Sequence, residues 1–169
     1  MNEYVELIKE AALKLGDRKI TIMEVCGGHT NTVMKYGIRD ILPKNVRLIS
    51  GPGCPVCVTA QKDIDNMIAI ARAGVKVATY GDMMHVPGSN GSLADAKAQG
   101  CDVKMILSAS QMLSEENKDR VFFAVGFETT MPMTAYLLKN GICIYPAHKI
   151  MPPPMKILVQ KNRIDGFID

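Results

Sequence analysis

The stretch Val121-Phe122-Phe123-Ala124-Val125 is apolar at every position. A strand covered on both faces reads as a continuous apolar run, whereas a strand with one face in water alternates apolar and polar residues. The stretch therefore predicts a central strand of a parallel sheet. On both sides of it, short β-branched runs alternate with amphipathic segments, which is typical of βαβ units.

The predicted elements follow this alternation along the whole chain. The segments predicted as strands are 19–25, 46–50, 75–80, 102–107, 121–126, 142–146 and 164–168. The segments predicted as helices are 3–15, 29–42, 58–73, 92–99, 109–117, 130–139 and 152–162. The sequence thus predicts an α/β fold made of two lobes of parallel βαβ units with a cleft between them.

One loop predicts the division into lobes. Val86-Pro87-Gly88-Ser89-Asn90-Gly91-Ser92 has the strongest loop composition and lies near the middle of the chain. We expect a first lobe at 1–88 and a second lobe at 89–169. Since the last predicted strand comes at the end of the sequence, we expect the second lobe to be incomplete.

Composition narrows the classes of function. The 169 residues are 47% apolar, enough to bury an ordinary core, and the net charge of +3 comes from interspersed charges. We find no basic cluster with interleaved aromatic residues and no apolar run of about 18 residues, so neither nucleic-acid binding nor a membrane span is expected. The acidic start lacks signal-peptide order, which predicts a cytoplasmic protein.

Cysteines lie in two glycine-rich turns that each follow a predicted strand. The first is Cys26-Gly27-Gly28-His29-Thr30 and the second is Gly51-Pro52-Gly53-Cys54-Pro55-Val56-Cys57. Thiolates act as nucleophiles and as metal ligands, and glycine lets a backbone turn sharply or approach a ligand closely. Five cysteines without a secretory signal favour metal or thiol redox chemistry over a disulfide framework.

A third turn, Gly126-Phe127-Glu128-Thr129-Thr130, follows the central strand. Sites in open α/β sheets form outside the carboxyl ends of the strands, so we expect the three turns to face one cleft. Glu128 is interpreted either as a functional carboxylate or as a helix N-terminal residue favoured by the macrodipole. Cys101 and Cys143 lie outside these turns and are expected to be buried apolar thiols.

The cysteine turns are compatible with several chemistries. Cys54 and Cys57 form a C-x-x-C pair that can ligate one metal ion or close a redox disulfide. Cys26 and His29 are available to complete a tetrahedral site, although the usual second metal-binding pair of a zinc site is absent from the sequence. An iron-binding scaffold, a thiol–disulfide oxidoreductase and a zinc-stabilised α/β module are the alternatives.

At these turns the chain resembles the hydrogenase maturation factor HypD family. The resemblance covers essentially the whole sequence, and its two cysteine motifs are highly specific. The stretches that carry it are Met23–Thr30, Gly51–Thr59, Gly81–Met84, Val86–Ser89, Phe122–Thr130 and His148-Lys149 with Pro152-Pro153. The resemblance implies a cytoplasmic scaffold on which the Fe(CN)2CO group of [NiFe]-hydrogenase is assembled.

The resemblance also implies roles for individual residues. Metal ligation falls to Cys26, His29, Cys54 and Cys57, with Cys54 and Cys57 as the redox-active pair. His29 and Glu128 join that pair as functional side chains of the cleft, which is lined by Gly27, Gly28, Thr30, Thr129 and Thr130. The implied partners are a HypC-like chaperone, bridged through Cys26, and a HypE-like protein that supplies cyanide.

Family members are about twice as long as this sequence, and their [4Fe–4S] cluster is held by cysteines in the C-terminal part. The resemblance therefore implies that this chain corresponds to an N-terminal fragment without the cluster ligands.

Overall fold

The computed structural model of the chain describes residues 2–168. In chain order its helices are α1 (Asn2–Lys14), α2 (Gly27–Lys35), α3 (Ile38–Ile41), α4 (Gln61–Arg72), α5 (Gly81–Met84), α6 (Leu93–Ala98), α7 (Met131–Lys139) and α8 (Pro152–Gln160). Its strands are β1 (Ile20–Glu24), β2 (Val46–Ser50), β3 (Val77–Tyr80), β4 (Val103–Ile106), β5 (Val121–Ala124), β6 (Ile144–Pro146) and β7 (Gly166–Ile168). Short 3-10 helices cover Ala109–Leu113 and Glu128–Thr130.

The chain forms two compact units. The first consists of the chain up to Cys57 together with the chain from Pro152 onward, and the second is Val58–Met151. The first contains a parallel sheet in the order β2-β1-β7, and the second contains a parallel sheet in the order β4-β3-β5-β6. The predicted α/β class with parallel βαβ units is confirmed.

This division differs from the boundary predicted at 88–89. The loop 86–92 lies inside the second unit, where Ser89 donates backbone and hydroxyl hydrogen bonds to Asp65 of α4 at 2.6 and 2.8 Å. A Cβ at Gly88 would lie 2.5 Å from the Ile68 side chain, so the loop packs directly on that helix. Loop composition marks a turn, but it does not say against which element the turn packs.

The core of the second unit lies beside its two central strands. Val77, Ala78, Phe122 and Phe123 are fully buried, as the continuous apolar run predicts. The buried side chains that pack together are Ala78, Ile106, Ala109, Met112, Phe122, Ala124, Leu137 and Ile142. This core fixes the carboxyl ends of β5 and β6, from which the third glycine turn and residues 147–151 depart.

Two predicted helices differ from the structure for local reasons. The predicted helix 29–42 is divided into α2 and α3 by Gly37, whose φ of +57° is left-handed. The predicted helix 109–117 is a 3-10 helix ending at Leu113, after which the Asn117 side chain donates to the Gln111 carbonyl. A side chain that satisfies a terminal carbonyl in this way ends a helix instead of extending it.

The outlying cysteines are less buried than predicted. Cys143 is exposed and Cys101 is half-buried, so the expectation of two buried apolar thiols is wrong. Across residues 2–168, we find no helix that combines the length and the apolar character needed to span a bilayer.

Candidate functional site

The two cysteine turns leave neighbouring strands of the first unit. Glu24 at the end of β1 lies opposite Ser50 at the end of β2 in the strand register. Backbone pairing continues beyond the strands, because Gly51 donates to the Glu24 carbonyl at 2.7 Å and Gly27 donates to the Gly53 carbonyl at 3.0 Å. The residue after Cys26 is thus bonded directly to the residue before Cys54.

Glycine is required where these turns approach each other. A Cβ at Gly53 would lie 3.2 Å from both the Cα and the nitrogen of Gly27, tighter than ordinary van der Waals contact. A Cβ at Gly51 would lie 2.6 Å from the Met23 side chain and 2.8 Å from the Glu24 carbonyl oxygen. A side chain at either position would separate the two turns or displace β1.

Cys26 is the N-cap residue of α2. Its backbone is extended, with φ −137° and ψ 127°, and its carbonyl accepts the first helical hydrogen bond, from Thr30 at 3.1 Å. Its sulfur lies 3.6 Å from the place that a Cβ on Gly28 would occupy. Within the described residues the thiol makes no capping hydrogen bond, so the sulfur lies over the first turn of the helix and is available as a ligand or nucleophile.

Cys54 and Cys57 lie close enough to act together. Their sulfurs are 2.8 Å apart, and the Cys57 backbone N–H points to the Cys54 sulfur at 3.3 Å. The hydrogen bond with Cys54 is the main cause that raises the pKa of the Cys57 thiol, with burial and charge repulsion from Cys54 adding to it. The two thiols thus contact each other directly, and the Cys54 sulfur also accepts the backbone N–H of Cys57.

His29 occupies the first turn of α2. It is half-buried, and its Nδ1 atom is buried without a hydrogen-bond partner in the described part of the chain. Among residues 2–168, no three His, Cys, Asp or Glu side chains are grouped closely enough to hold a metal ion. The structure thus brings together Cys54 and Cys57 as a pair and places Cys26 on the adjoining turn, without a formed group of three ligands among these residues.

The third glycine turn belongs to the second unit. Glu128 begins the short 3-10 helix before α7, and its carboxylate accepts the backbone N–H of Met151. Thr130 donates from its hydroxyl to the Phe127 carbonyl at 3.0 Å, whereas Thr129 is exposed. The carboxylate of Glu128 therefore ties this turn to the segment that follows β6, a role that the sequence did not indicate.

Gly126 allows two side chains to cover the strand end. A Cβ there would lie 1.8 Å from the Thr130 hydroxyl oxygen and 3.2 Å from Cδ2 of His148. The Gly126 carbonyl also accepts the backbone N–H of Lys149 at 3.0 Å. Any larger residue would expel Thr130 and His148 from this place.

The hydrogen bonds around His148 assign its tautomer. Thr134 donates its hydroxyl proton to the Thr130 carbonyl at 3.2 Å, so its 3.3 Å contact with His148 requires that Nε2 carries the proton. Burial lowers the pKa of the His148 imidazole below its ordinary value of 6.5. The neutral ring therefore offers Nδ1 as an acceptor.

Sequence reasoning assigned no role to two side chains of these regions. His148 carries part of the family resemblance and lies two residues after a predicted strand, but the sequence gave no role for it. Glu24 is 1% exposed, and its Oε1 accepts from Arg39 and from Ser50, each at 2.8 Å. An acidic residue at the end of a largely apolar strand, two residues before Cys26, was the signal that could have identified it. The predicted cleft shared by all three turns stays a prediction.

The sequence of this chain is similar to those of known proteins. A family model named HypD and described as the hydrogenase formation hypA family matches residues 1–169. A protein of Methanocaldococcus jannaschii named for hydrogenase expression and formation is 43% identical over 99% of this chain and 50% of its own length.

Two relatives carry the name hydrogenase maturation factor HypD. The protein of Rhizobium leguminosarum bv. viciae is 45% identical over 89% of this chain and 45% of its own length. The protein of Escherichia coli strain K12 is 41% identical over 98% of this chain and 49% of its own length. The chain thus spans about half the length of the curated relatives it matches.

Proposed function

The chain belongs to the HypD family of hydrogenase formation proteins, and from this premise we propose that it forms the thiol-bearing part of a scaffold for the Fe(CN)2CO group of [NiFe]-hydrogenase. Cys26, Cys54 and Cys57 hold the iron as cargo. Thiolates are soft, strong donors and suit an iron atom that carries cyanide and carbon monoxide.

The hydrogen bond from Gly27 to the Gly53 carbonyl is the observation that carries this proposal. It fixes the two cysteine turns side by side at the carboxyl ends of adjacent strands, where α/β proteins bind ligands. Cys26 and Cys54 each lie one residue from this bond. An iron atom bound there would draw on both turns, and His29 lies in the same helix turn as a further donor.

The C-x-x-C pair supplies the redox chemistry. In a thiol–disulfide exchange, Cys54 and Cys57 form one sulfur–sulfur bond with each other, while the disulfide of glutathione or of a partner protein is reduced to two thiols that take up the two protons. The 2.8 Å separation of the sulfurs supports this step. A reducing thiol or a protein reductant must then restore the two thiols.

The [4Fe–4S] cluster that the family resemblance implies does not fit the residues present. Four cysteine ligands are usual for such a cluster. No three cysteines are grouped together within residues 2–168, and Cys101 and Cys143 lie in the second unit. The chemistry proposed for the residues of this chain therefore does not use such a cluster.

The partners follow the same line of argument. Gly27 and Gly28 are exposed and directly follow the half-buried Cys26, which supports capture of a HypC-like chaperone through this thiol. A HypE-like protein would deliver cyanide to the same iron. The five free cysteines agree with a reducing compartment such as the cytoplasm.

Metal analysis of the full chain, purified without oxygen, tests the proposal. Iron that disappears in Cys26→Ala and in Cys54→Ser supports the scaffold, and Cys143→Ala serves as the matched control because this exposed cysteine lies in the other unit. Stoichiometric zinc would instead support a zinc-stabilised module.

A thiol–disulfide oxidoreductase is the second candidate. The pair of Cys54 and Cys57 favours it, because the two sulfurs are 2.8 Å apart and the Cys54 sulfur accepts the backbone N–H of Cys57, so a thiol that attacks a disulfide has a second thiol beside it to resolve the mixed disulfide. The metal-free protein reducing a disulfide substrate at the same rate with and without Cys26 would support this candidate over the scaffold.

A further inference from the structure

A carboxylate bridge joins the two strands at the point where the cysteine turns begin. Glu24 and Ser50 are paired residues at the carboxyl ends of β1 and β2. The Ser50 hydroxyl donates to Oε1 of Glu24, and one nitrogen of Arg39 donates both to that oxygen and to the Ser50 hydroxyl, at 2.8 and 2.7 Å. The three side chains form a closed triangle.

Stability does not explain why a carboxylate lies at this position. Glu24 is 1% exposed, and its Oε2 atom is buried without a partner in the part of the chain that the structure describes. Burial of an incompletely paired carboxylate costs free energy that a well-packed apolar residue would avoid. Because Oε2 has no partner there, Arg39 and Ser50 alone orient the carboxylate.

The bridge lies where the two cysteine turns leave their strands. Glu24 is followed by Val25 and Cys26, and Ser50 is followed by the glycine turn that leads to Cys54. The backbone of Glu24 also contacts the end of β2, since its carbonyl accepts the N–H of Gly51 at 2.7 Å. Side chain and backbone of one residue thus hold both departing turns.

We propose that Glu24 is a positioning residue whose carboxylate, held by Arg39 and Ser50, sets the spacing between the Cys26 turn and the Cys54 turn. The inference rests on the proposed function in one respect: both turns act on a single bound group. Glu24 does not touch that group itself and acts through the backbone that carries the thiols.

A matched carboxylate lies at the opposite end of the same strand. Asp165 accepts from the Thr21 backbone at 2.8 Å and from Arg18 at 3.1 Å, at the amino end of β1. It pairs with an arginine as Glu24 does, but it lies far along the strand from both cysteine turns. Asp165→Asn therefore removes a more exposed arginine–carboxylate pair of the same sheet without disturbing the proposed spacing.

Thiol cross-linking measures the spacing without any metal. In the full chain with Cys57, Cys101 and Cys143 replaced by serine, a short bifunctional thiol reagent bridges Cys26 and Cys54. We expect Glu24→Gln and Arg39→Lys each to lower the rate of bridging about fivefold or more, and Asp165→Asn to leave it within about twofold. Equal rates for Glu24→Gln and the parent would overturn the proposal.

Cobalt titration of the chain with all five cysteines present adds a spectroscopic measure. The thiolate-to-cobalt charge-transfer band reports ligation, and loss of a residue that orients metal ligands weakens binding about tenfold or more. We expect this loss in Glu24→Gln, with no further loss in the Glu24→Gln, Arg39→Lys double variant, because both changes break one bridge.

The two measurements separate the two hypotheses. If the unaltered chain bound no cobalt, the shared metal site would be refuted, while the cross-linking rates would still decide the role of Glu24. If Asp165→Asn and Glu24→Gln lost cobalt affinity equally and in proportion to their loss of thermal stability, Glu24 would be a general structural residue and the proposal would be overturned.

Discussion

Gly27 donates its backbone N–H to the carbonyl oxygen of Gly53 across 3.0 Å, so the turn that carries Cys26 and the turn that carries Cys54 are bonded to each other. This bond extends the parallel pairing of β1 and β2 beyond both strand ends. Neither residue carries a side chain, which is why two loops can approach this closely. The chemistry proposed for the thiols depends on that approach.

Substitution of Gly51 tests how tightly this region is packed. A Cβ in Gly51→Ala would meet the Met23 side chain at 2.6 Å and the Glu24 carbonyl at 2.8 Å. Because the carbonyl belongs to the backbone and cannot move independently, we expect a loss of about 1–3 kcal/mol in the free energy of unfolding. Urea denaturation of both proteins measures the difference.

Gly166→Ala is the control for that change. Gly166 lies in β7 of the same sheet, and nothing lies within 4 Å of the place that its Cβ would take. We expect its unfolding free energy to change by about 0.5 kcal/mol or less. Equal destabilisation by both alanines would show that the close approach at Gly51 is not what the structure implies.

Replacement of Cys26 tests partner capture. Cys26→Ala should abolish retention of a HypC-like chaperone and of iron, while the fold remains, since the thiol is half-buried and makes no capping hydrogen bond within residues 2–168. Co-purification with the chaperone measures retention, and circular dichroism checks the fold. Undiminished binding by this variant would refute the role of Cys26.

Oxidation should consume Cys54 and Cys57 together. In defined glutathione buffers, two thiols are expected to disappear with a single midpoint, since the sulfurs are 2.8 Å apart. In Cys57→Ser, Cys54 should stay reduced or form a mixed disulfide. A pair that resists oxidant in the metal-free protein would point to structural ligation instead.

The hydrogen bond within this pair predicts slow alkylation of Cys57. The pKa of Cys57 lies above its ordinary value of 9.0, mainly because of its hydrogen bond with Cys54. Only the thiolate reacts, so at neutral pH Cys57 should be alkylated more slowly in the parent protein than in Cys54→Ala, which removes that hydrogen bond. Mass spectrometry after brief iodoacetamide treatment measures both rates, and equal rates would contradict this cause.

His148 should make the stability depend on pH. Its folded-state pKa is lowered below 6.5 by burial, so near that pH the unfolded chain binds the proton more readily than the folded chain. The contribution to stability is complete above the unfolded value and is lost as the pH falls through the folded one. Urea unfolding between about pH 5 and pH 7.5 measures this change in the free energy of unfolding. Most carboxylates titrate at lower pH and contribute little in this range.

The matched variants for that measurement are His148→Gln and His85→Gln. Glutamine at 148 keeps a donor for the Thr134 hydroxyl but cannot titrate, so this part of the pH dependence should disappear. His85 is exposed, and His85→Gln should leave this pH dependence of the stability unchanged. A pH dependence that survives in His148→Gln would assign it to another group.

Local pattern was sufficient for the strands, because each predicted strand is present and β2 has the predicted bounds. Local pattern was insufficient for the division into units, because that division depends on pairing between segments that are distant in the sequence. β7 pairs with β1 through Met23 and Phe167, which brings Pro152 onward into the first unit, and no local composition announces that pairing. For this reason the predicted boundary at 88–89 differs from the observed division.

The cysteine turns were predicted from their residues, whereas their supports were not. Glycine and cysteine spacing is visible in a sequence, but the partner of a buried side chain is not. The structure shows that Glu24 is held by Arg39 and Ser50, and the sequence does not reveal these partners. His148 acquires its meaning from Thr134, which fixes the proton on the ring.

The strand order β2-β1-β7 has a consequence for synthesis on the ribosome. β1 can pair on its second edge only after Gly166–Ile168 has been made, with the whole of Val58–Met151 in between, whereas β3, β4, β5 and β6 all lie within that interval. Closing the longer loop costs more chain entropy, so the second unit should fold first. A released chain that ends after Met151 should resist protease only within Val58–Met151. The thiols would then reach their final geometry only after β7 has been made, which delays metal loading until that point.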